Sequence, residues 1–281
     1  MKILLVGEFS RLHNSLKEGL LSLNHSVSII GSGDDFKEFP VDYSIAPRIF
    51  LSSSLLNFFN KVFFKLFKSD LRLLERGIRF YFLLPKLKNY DIVQLINSDA
   101  IETYPFASRY LLQKLFHQNK KISLLICGED TPIIEYLLKN EMKYSILNPL
   151  IKDQNLKKDY NYSLKYIQPN YRKTFDFIQR KTSTIITSDL DYKIPIEAMG
   201  LHSQFIPNPI NTDEIEYKPL LINAKIIIFL GINESSAVKK GSMFFEKALE
   251  IIKEKYPNQV EIIITRSIPY QQYIEAYDKA H

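Results

Sequence analysis

The chain has 281 residues, 46% hydrophobic and 24% charged, with a net charge of +6. That length can bury a sizeable core and exceeds one typical domain, and the composition excludes a disordered or fibrous chain. The single cysteine, Cys127, excludes an internal disulfide framework and suits a reducing compartment, and no apolar run reaches bilayer-spanning length.

Charge is unevenly spread. Residues 1–181 hold 27 Lys/Arg against 18 Asp/Glu, whereas residues 182–281 hold 10 against 13. A basic first part and a mildly acidic second part imply two domains with different partners. Met1-Lys2 runs at once into strand residues, without the charged and apolar regions of a signal peptide, so a cytoplasmic location is expected.

Lys2–Gly7 reads as a buried strand and Leu12–Leu23 as an amphipathic helix with Leu12, Leu16, Leu20 and Leu23 on one side. Val27–Ile30 is a second strand, closed by Gly31-Ser32-Gly33. This β–α–β opening predicts a right-handed crossover and a parallel sheet. The loop Gly7-Glu8-Phe9-Ser10-Arg11 then falls at a strand's carboxyl end, where open α/β sheets place ligands. Gly7, Glu8 and Arg11 are therefore candidate binding residues, although Ser10 as a helix cap and Arg11 in solvent would explain the loop equally well. With no G-x-G-x-x-G, a dinucleotide cofactor has little support.

Residues 55–88 carry eight Lys/Arg and two acidic residues, a net charge equal to that of the whole chain. Helical spacing puts Lys61, Lys65 and Lys68 on one face and Phe59, Phe63, Leu66 and Phe67 on the opposite one. Such a helix can lie at an anionic membrane surface or dock on its own domain with its lysines in water. Tyr90–Asn97 is the next strand, with the amides of Gln94 and Asn97 near its polar end as hydrogen-bonding candidates or as ordinary strand-end polarity. A helix over Pro105–His117 precedes the strand Lys121–Ile126, which ends in Cys127-Gly128-Glu129-Asp130. Glu129 and Asp130 could bind ligand hydroxyls or act as a base, but a cap on the helix near Pro132 explains Asp130 more simply. No cluster has metal-ligand spacing.

Residues 140–172 lack periodicity and read as a long surface insertion, in which Tyr160, Tyr162, Tyr166 and Tyr171 could stack on sugars or simply pack. Phe175–Gln179 is helical, Thr184–Thr187 a strand and Phe205-Ile206 a final short one. Pro207-Asn208-Pro209 stops it. The expected division is a first domain over 1–208, a linker over 209–222 and a second domain over 223–281.

The second domain opens on the stretch from Ala224 to Gly241. Ile226–Leu230 is an unbroken apolar run, as in a parallel strand covered on both faces. Gly231 ends it, and Lys239-Lys240-Gly241 leads into a helix with Phe244, Ala248, Ile251 and Ile252 on its inner face. Free N–H groups and Lys240 at a helix start would suit a diphosphate, and an ordinary solvated turn would have the same spacing. A strand over 260–265 and a helix over 270–280 follow.

A Gly-ended strand, a short loop, Lys-Gly and an Ala-Leu helix resemble the start of the donor domain in family 4 glycosyltransferases of the GT-B fold. Met1–Gly7 and Phe205–Ile210 extend the likeness, which is nearest to bacterial enzymes that build surface polysaccharides. The resemblance implies two Rossmann-like parallel-sheet domains, the second incomplete. It implies transfer of a sugar from a nucleotide-sugar donor to a saccharide or lipid-linked acceptor with retention, no metal and no other cofactor. Gly231, Lys240 and Gly241 would bind the donor, and Gly7, Glu8, Arg11, Gln94, Asn97, Glu129 and Asp130 would face the acceptor. Three departures count against full activity. A histidine common near Gln94 and Asn97 is missing, Ile232 stands where many members have an arginine, and the chain ends at His281 before the family's paired glutamates. A truncated, impaired transferase is therefore expected. Its partners would include a membrane surface through 55–88, at the inner face, and another chain along strand 260–265. The rival readings are a non-catalytic glycan- or nucleotide-binding scaffold and, with least support, a nucleic-acid binder.

Overall fold

Short, mostly apolar runs make the inner strands of the first sheet, which are largely buried, while its two-residue edge strands are more exposed. The computed structural model describes residues 1–67, 69–217 and 225–281. Lys68 lies outside the described residues, as do positions 218–224 with the end of the expected linker and Ala224. The strands are β1 (Lys2–Val6), β2 (Ser26–Gly31), β3 (Tyr43–Ser44), β4 (Ile92–Leu95), β5 (Lys121–Ile126), β6 (Thr184–Thr187) and β7 (Gln204–Phe205). They form one sheet in the order β3-β2-β1-β4-β5-β6-β7, and every pairing is parallel. Helices α1 (Leu12–Ser22), α2 (Ile49–Ser52), α3 (Ser54–Phe67), α4 (Leu71–Leu83), α5 (Pro105–His117) and α6 (Thr131–Leu138) precede α7 (Asn148–Lys152), α8 (Asn161–Leu164), α9 (Pro169–Lys181) and α10 (Leu190–Ala198).

Two compact units result. One comprises Met1–Asp35, Phe39–Lys139 and Ser163–Asn211, and the other Phe36–Glu38, Asn140–Tyr162 and Thr212–His281. In the first, Ile3, Leu5, Val27 and Ile29 form a buried cluster against Leu16 and Leu20 of α1. Enclosing each such side chain contributes about 1.5–3 kcal/mol. Leu23 does not join them. It caps α1 and is 65% exposed.

Helix α3 is turned relative to its sequence pattern. Leu56, Asn60 and Phe63 face inward while Phe59 and Leu66 are exposed. Asn60 fixes this phase: its amide donates to Asp70 Oδ1 at 3.0 Å, and its oxygen accepts the Leu71 N–H at 2.8 Å. Both polar ends of this buried amide are thereby satisfied.

The segment 140–172, expected as an aperiodic surface insertion, is largely helical. Tyr160 and Tyr166, expected as sugar-stacking candidates, are fully buried. Tyr160 donates its hydroxyl to the Ile146 carbonyl at 2.9 Å. Tyr166 packs edge-on against Tyr171 with centroids 5.7 Å apart. Both rings are therefore packing elements.

The second unit holds β8 (Ile226–Ile232), α11 (Ser242–Lys255), β9 (Val260–Arg266) and α12 (Tyr270–Tyr277), with β8 and β9 parallel. The α/β, parallel-sheet expectation thus holds in both units. Among the described residues β9 pairs only with β8. Helix α11 buries Ser242 and Leu249, whereas Phe244 and Ile251 of the expected inner face are 69% and 63% exposed. The helix is preceded by Gly241, left-handed at φ +64. The ring of Phe244 folds back over it, 3.1 Å from where a Cβ would lie.

Candidate functional site

In the first sheet the strand order changes direction between β1 and β4, and open α/β sheets bind ligands outside the carboxyl ends at such a point. Val6 is in register with both Ile30 and Leu95. The chain therefore leaves β1, β2 and β4 at one level, through Gly7-Glu8, Ser32–Asp35 and Ile96–Glu102. Gly7 has φ +86, and a Cβ there would lie 2.4 Å from Ile96 Cγ2 and 3.1 Å from the Ala100 carbonyl. Glycine is the residue that lets the β1 and β4 loops approach this closely.

Five side-chain-bearing residues at this edge have left-handed backbone: Ser10, Arg11, Asp34, Asp35 and Glu102. Each such residue costs about 1–3 kcal/mol unless its surroundings hold it. Polar bonds between the loops do so. The Ser10 N–H donates to Asp34 Oδ2 at 2.8 Å, and Ser32 donates its hydroxyl to Glu102 Oε2. Arg76 of α4 reaches Asp35 at 2.6 Å and Glu102 at 3.2 Å. Burial nonetheless pushes the Glu102 carboxyl up to about 7 against the pull of Arg76.

Glu8 is fully buried. Its Oε2 accepts the Asn14 N–H at 2.8 Å and the Asn14 amide at 2.6 Å, so Glu8 rather than Ser10 caps α1. Its other oxygen, Oε1, is enclosed without a hydrogen-bond partner among the described residues. Burial raises its pKa to about 7 despite the Asn14 bonds, so this carboxyl changes charge near neutral pH.

His13 lies beside it, also fully buried. Its Nδ1 is 2.6 Å from the Gly7 carbonyl, and a carbonyl only accepts, so Nδ1 carries the proton. Nε2 then accepts from the Gln94 amide at 3.3 Å. Burial lowers the His13 pKa to about 4, which keeps the ring neutral. Gln94, a sequence candidate for sugar contact, is thus committed to α1 from within β4.

Asn97 spends its Oδ1 on the Asp99 N–H at 2.9 Å, and Asp99 pairs with Lys165 at 2.8 Å. Asp130 caps α6 through the Thr131 N–H at 2.7 Å. It also accepts the Ser98 N–H at 2.8 Å and the Ser98 hydroxyl. Burial raises its pKa to about 6. Glu129 stands next to it, half-buried. Arg11 extends along α1 to Glu18 at 2.8 Å. Of the sequence candidates in this unit, Gly7, Glu8, Asn97, Glu129 and Asp130 gather at the carboxyl edge.

In the second unit Gly231 makes room for packing: a Cβ there would meet the Tyr273 ring at 2.5 Å. The N–H groups of Lys240, Gly241 and Ser242 already donate to Ser236, Val238 and Ala237 at 2.9–3.1 Å. The expectation of free amides at these three positions is therefore corrected, since the turn before α11 consumes them. The exposed Lys240 ammonium is what this turn offers to an anion.

Elsewhere, a groove of about 690 Å³ lies along α4 and α5, lined by Tyr81, Phe82, Tyr110, Lys114 and His117. These residues cluster toward the end of α5 that leads into β5, remote from the carboxyl edge. Among the described residues no group of three or more His, Cys, Asp or Glu is disposed to hold a metal ion. Nor is any helix among them long and apolar enough to cross a membrane.

No family model matches the chain, and no curated protein does. Solved structures give distant likenesses. A Listeria monocytogenes protein assigned as a UDP-N-acetylglucosamine 2-epimerase is 12% identical, with 100% of this chain and 67% of that one covered and a TM-score of 0.47. A 3-alpha-hydroxysteroid dehydrogenase from Pseudomonas sp. B-0831, complexed with NADH, is 15% identical over 71% of this chain and 87% of that one, at a TM-score of 0.30. At those scores neither carries an argument about activity.

His13, Ser32, Arg76, Ser98 and Glu102 are polar members of the edge that sequence reasoning passed over. His13 had a local signal, since it follows Leu12 on the helix face that also carries Leu16 and Leu20. The others had none, because their partners lie tens of residues away.

Proposed function

We propose that this chain serves in sugar transfer from a nucleotide-activated donor. The second unit takes the donor diphosphate at Lys240, and the first takes a saccharide or lipid-linked acceptor at the carboxyl edge of its sheet. The observation that supports this reading is the recurrence, in one chain, of parallel β–α–β architecture. One instance is a seven-strand sheet with a switch point at Gly7 and Asn97, and the other a second unit opening on β8, a Lys-Gly turn and α11. The retaining hexosyl type and the absence of a metal come from the resemblance to family 4 glycosyltransferases. In that reading the lysine balances charge on the departing diphosphate, while Glu8 and Asn97 shape the edge that meets the acceptor.

Two observations favour a non-catalytic nucleotide- or glycan-binding scaffold instead. The three amides around Gly241 are already bonded, and Ile232 offers no charge. Calorimetric titration with UDP, GDP and their sugar conjugates tests the assignment, with release of free nucleoside diphosphate as the measure of turnover. Sugar transfer predicts binding that Lys240→Ala weakens roughly tenfold, the value of one charge-assisted contact. Binding with no turnover favours the scaffold, and no binding at millimolar nucleotide removes both.

A further inference from the structure

The turned phase of α3 leaves an apolar stripe that no described residue covers. Leu55, Phe58, Phe59, Val62 and Leu66 are 74%, 64%, 55%, 40% and 70% exposed. Their spacing of three and four residues puts all five on one side of the helix, a strip roughly 16 Å long. Isolated exposed apolar residues are ordinary, but a contiguous row of this kind marks an interaction surface.

The neighbouring charge says what covers it. The arginines of α4 are spent within the protein, Arg72 on Asp70, Arg76 on Asp35 and Glu102, and Arg79 on Glu75. Lys61 and Lys65 are different: both are exposed and make no ion pair among the described residues. Standing three residues on from Phe58 and Val62, they border the stripe along one side. An apolar strip edged by ammonium groups complements an anionic bilayer, with rings entering the acyl boundary and lysines meeting lipid phosphates.

We infer that α3 docks this chain onto an anionic lipid surface, with Leu55, Phe58, Phe59, Val62 and Leu66 inserted and Lys61 and Lys65 at the headgroups. This docking is independent of sugar transfer. Its lipid-facing residues are ones that the sequence pattern divided differently.

The chain contains no tryptophan, so Phe59→Trp gives a single reporter on the full chain. With vesicles of phosphatidylglycerol and phosphatidylcholine, its emission should shift to the blue and be quenched by lipids brominated on the acyl chain. Vesicles of phosphatidylcholine alone should give little of either. Lys61→Gln with Lys65→Gln should weaken partitioning roughly thirtyfold, about fivefold for each lysine. Phe58→Ser with Leu66→Ser should abolish sedimentation with vesicles without lowering the thermal midpoint, because both side chains already face water. Unchanged indole emission from the Phe59→Trp protein on anionic vesicles would overturn the inference. So would concentration-dependent dimerisation that the Ser variants abolish while vesicle binding is absent, since the stripe would then pair two copies of the chain.

Discussion

Arg76 and Glu102 meet at 3.2 Å beneath the carboxyl edge of the first sheet, with side chains only 11% and 15% exposed. The pair joins α4 to the loop after β4, and through Ser32 and Asp35 to the loop after β2. A buried pair adds little net stability, but removing one partner strands the other charge.

Arg76→Met should therefore destabilise the first unit by about 3 kcal/mol at pH 8. At pH 5 the loss should be smaller, because Glu102, already pushed up to about 7 by burial, is then neutral and needs no cation. Adding Glu102→Gln should recover much of the deficit at pH 8. Urea unfolding of the four proteins of this cycle, at both pH values, checks it. A loss that is the same at pH 5 and pH 8 would count against the account.

Glu8 gives a pH dependence of known sign. Its folded pKa of about 7 lies above the ordinary 4.5, so the folded state favours the protonated carboxyl. That stabilisation is fully present below about pH 4.5 and is lost as pH rises through 7. Glu8→Gln should accordingly gain on the parent protein across this window, by about 3 kcal/mol at most. His13 acts in the opposite sense. With its pKa lowered to about 4, it withdraws stability as pH falls from 6.5 toward 4. The difference between variant and parent isolates Glu8 from that opposing slope, and a difference flat in pH would refute the assignment.

Gly7 should tolerate no side chain. Gly7→Ala combines a left-handed backbone with a 2.4 Å approach to Ile96 Cγ2, and should lower stability by about 3 kcal/mol or more. Ile96→Ala removes that methyl group. The double variant should thus lose clearly less than the two single losses added together, leaving the backbone strain and the Ala100 contact as residue. Additive losses would mean that the β1 and β4 loops do not touch as described.

The sequence alone determined the elements with a strong local cause. The apolar run Lys121–Ile126, the β-branched Thr184–Thr187 and the Pro-led helix Pro105–His117 have the predicted bounds. Asp130 also caps its helix as its position suggested. In each case neighbouring residues carry the whole signal. Tertiary structure decided the helix phases and the polar partners. Asn60 holds α3 by bonding to Asp70 and Leu71, and α11 buries Leu249 rather than Phe244 and Ile251. Glu8 took the capping role that Ser10 was positioned to fill, and Tyr160 and Tyr166 went to the core. Ser32 meets Glu102 across 70 positions and Ser98 meets Asp130 across 32. Strand register and loop closure create those contacts, and a period of two or 3.6 residues carries no record of either.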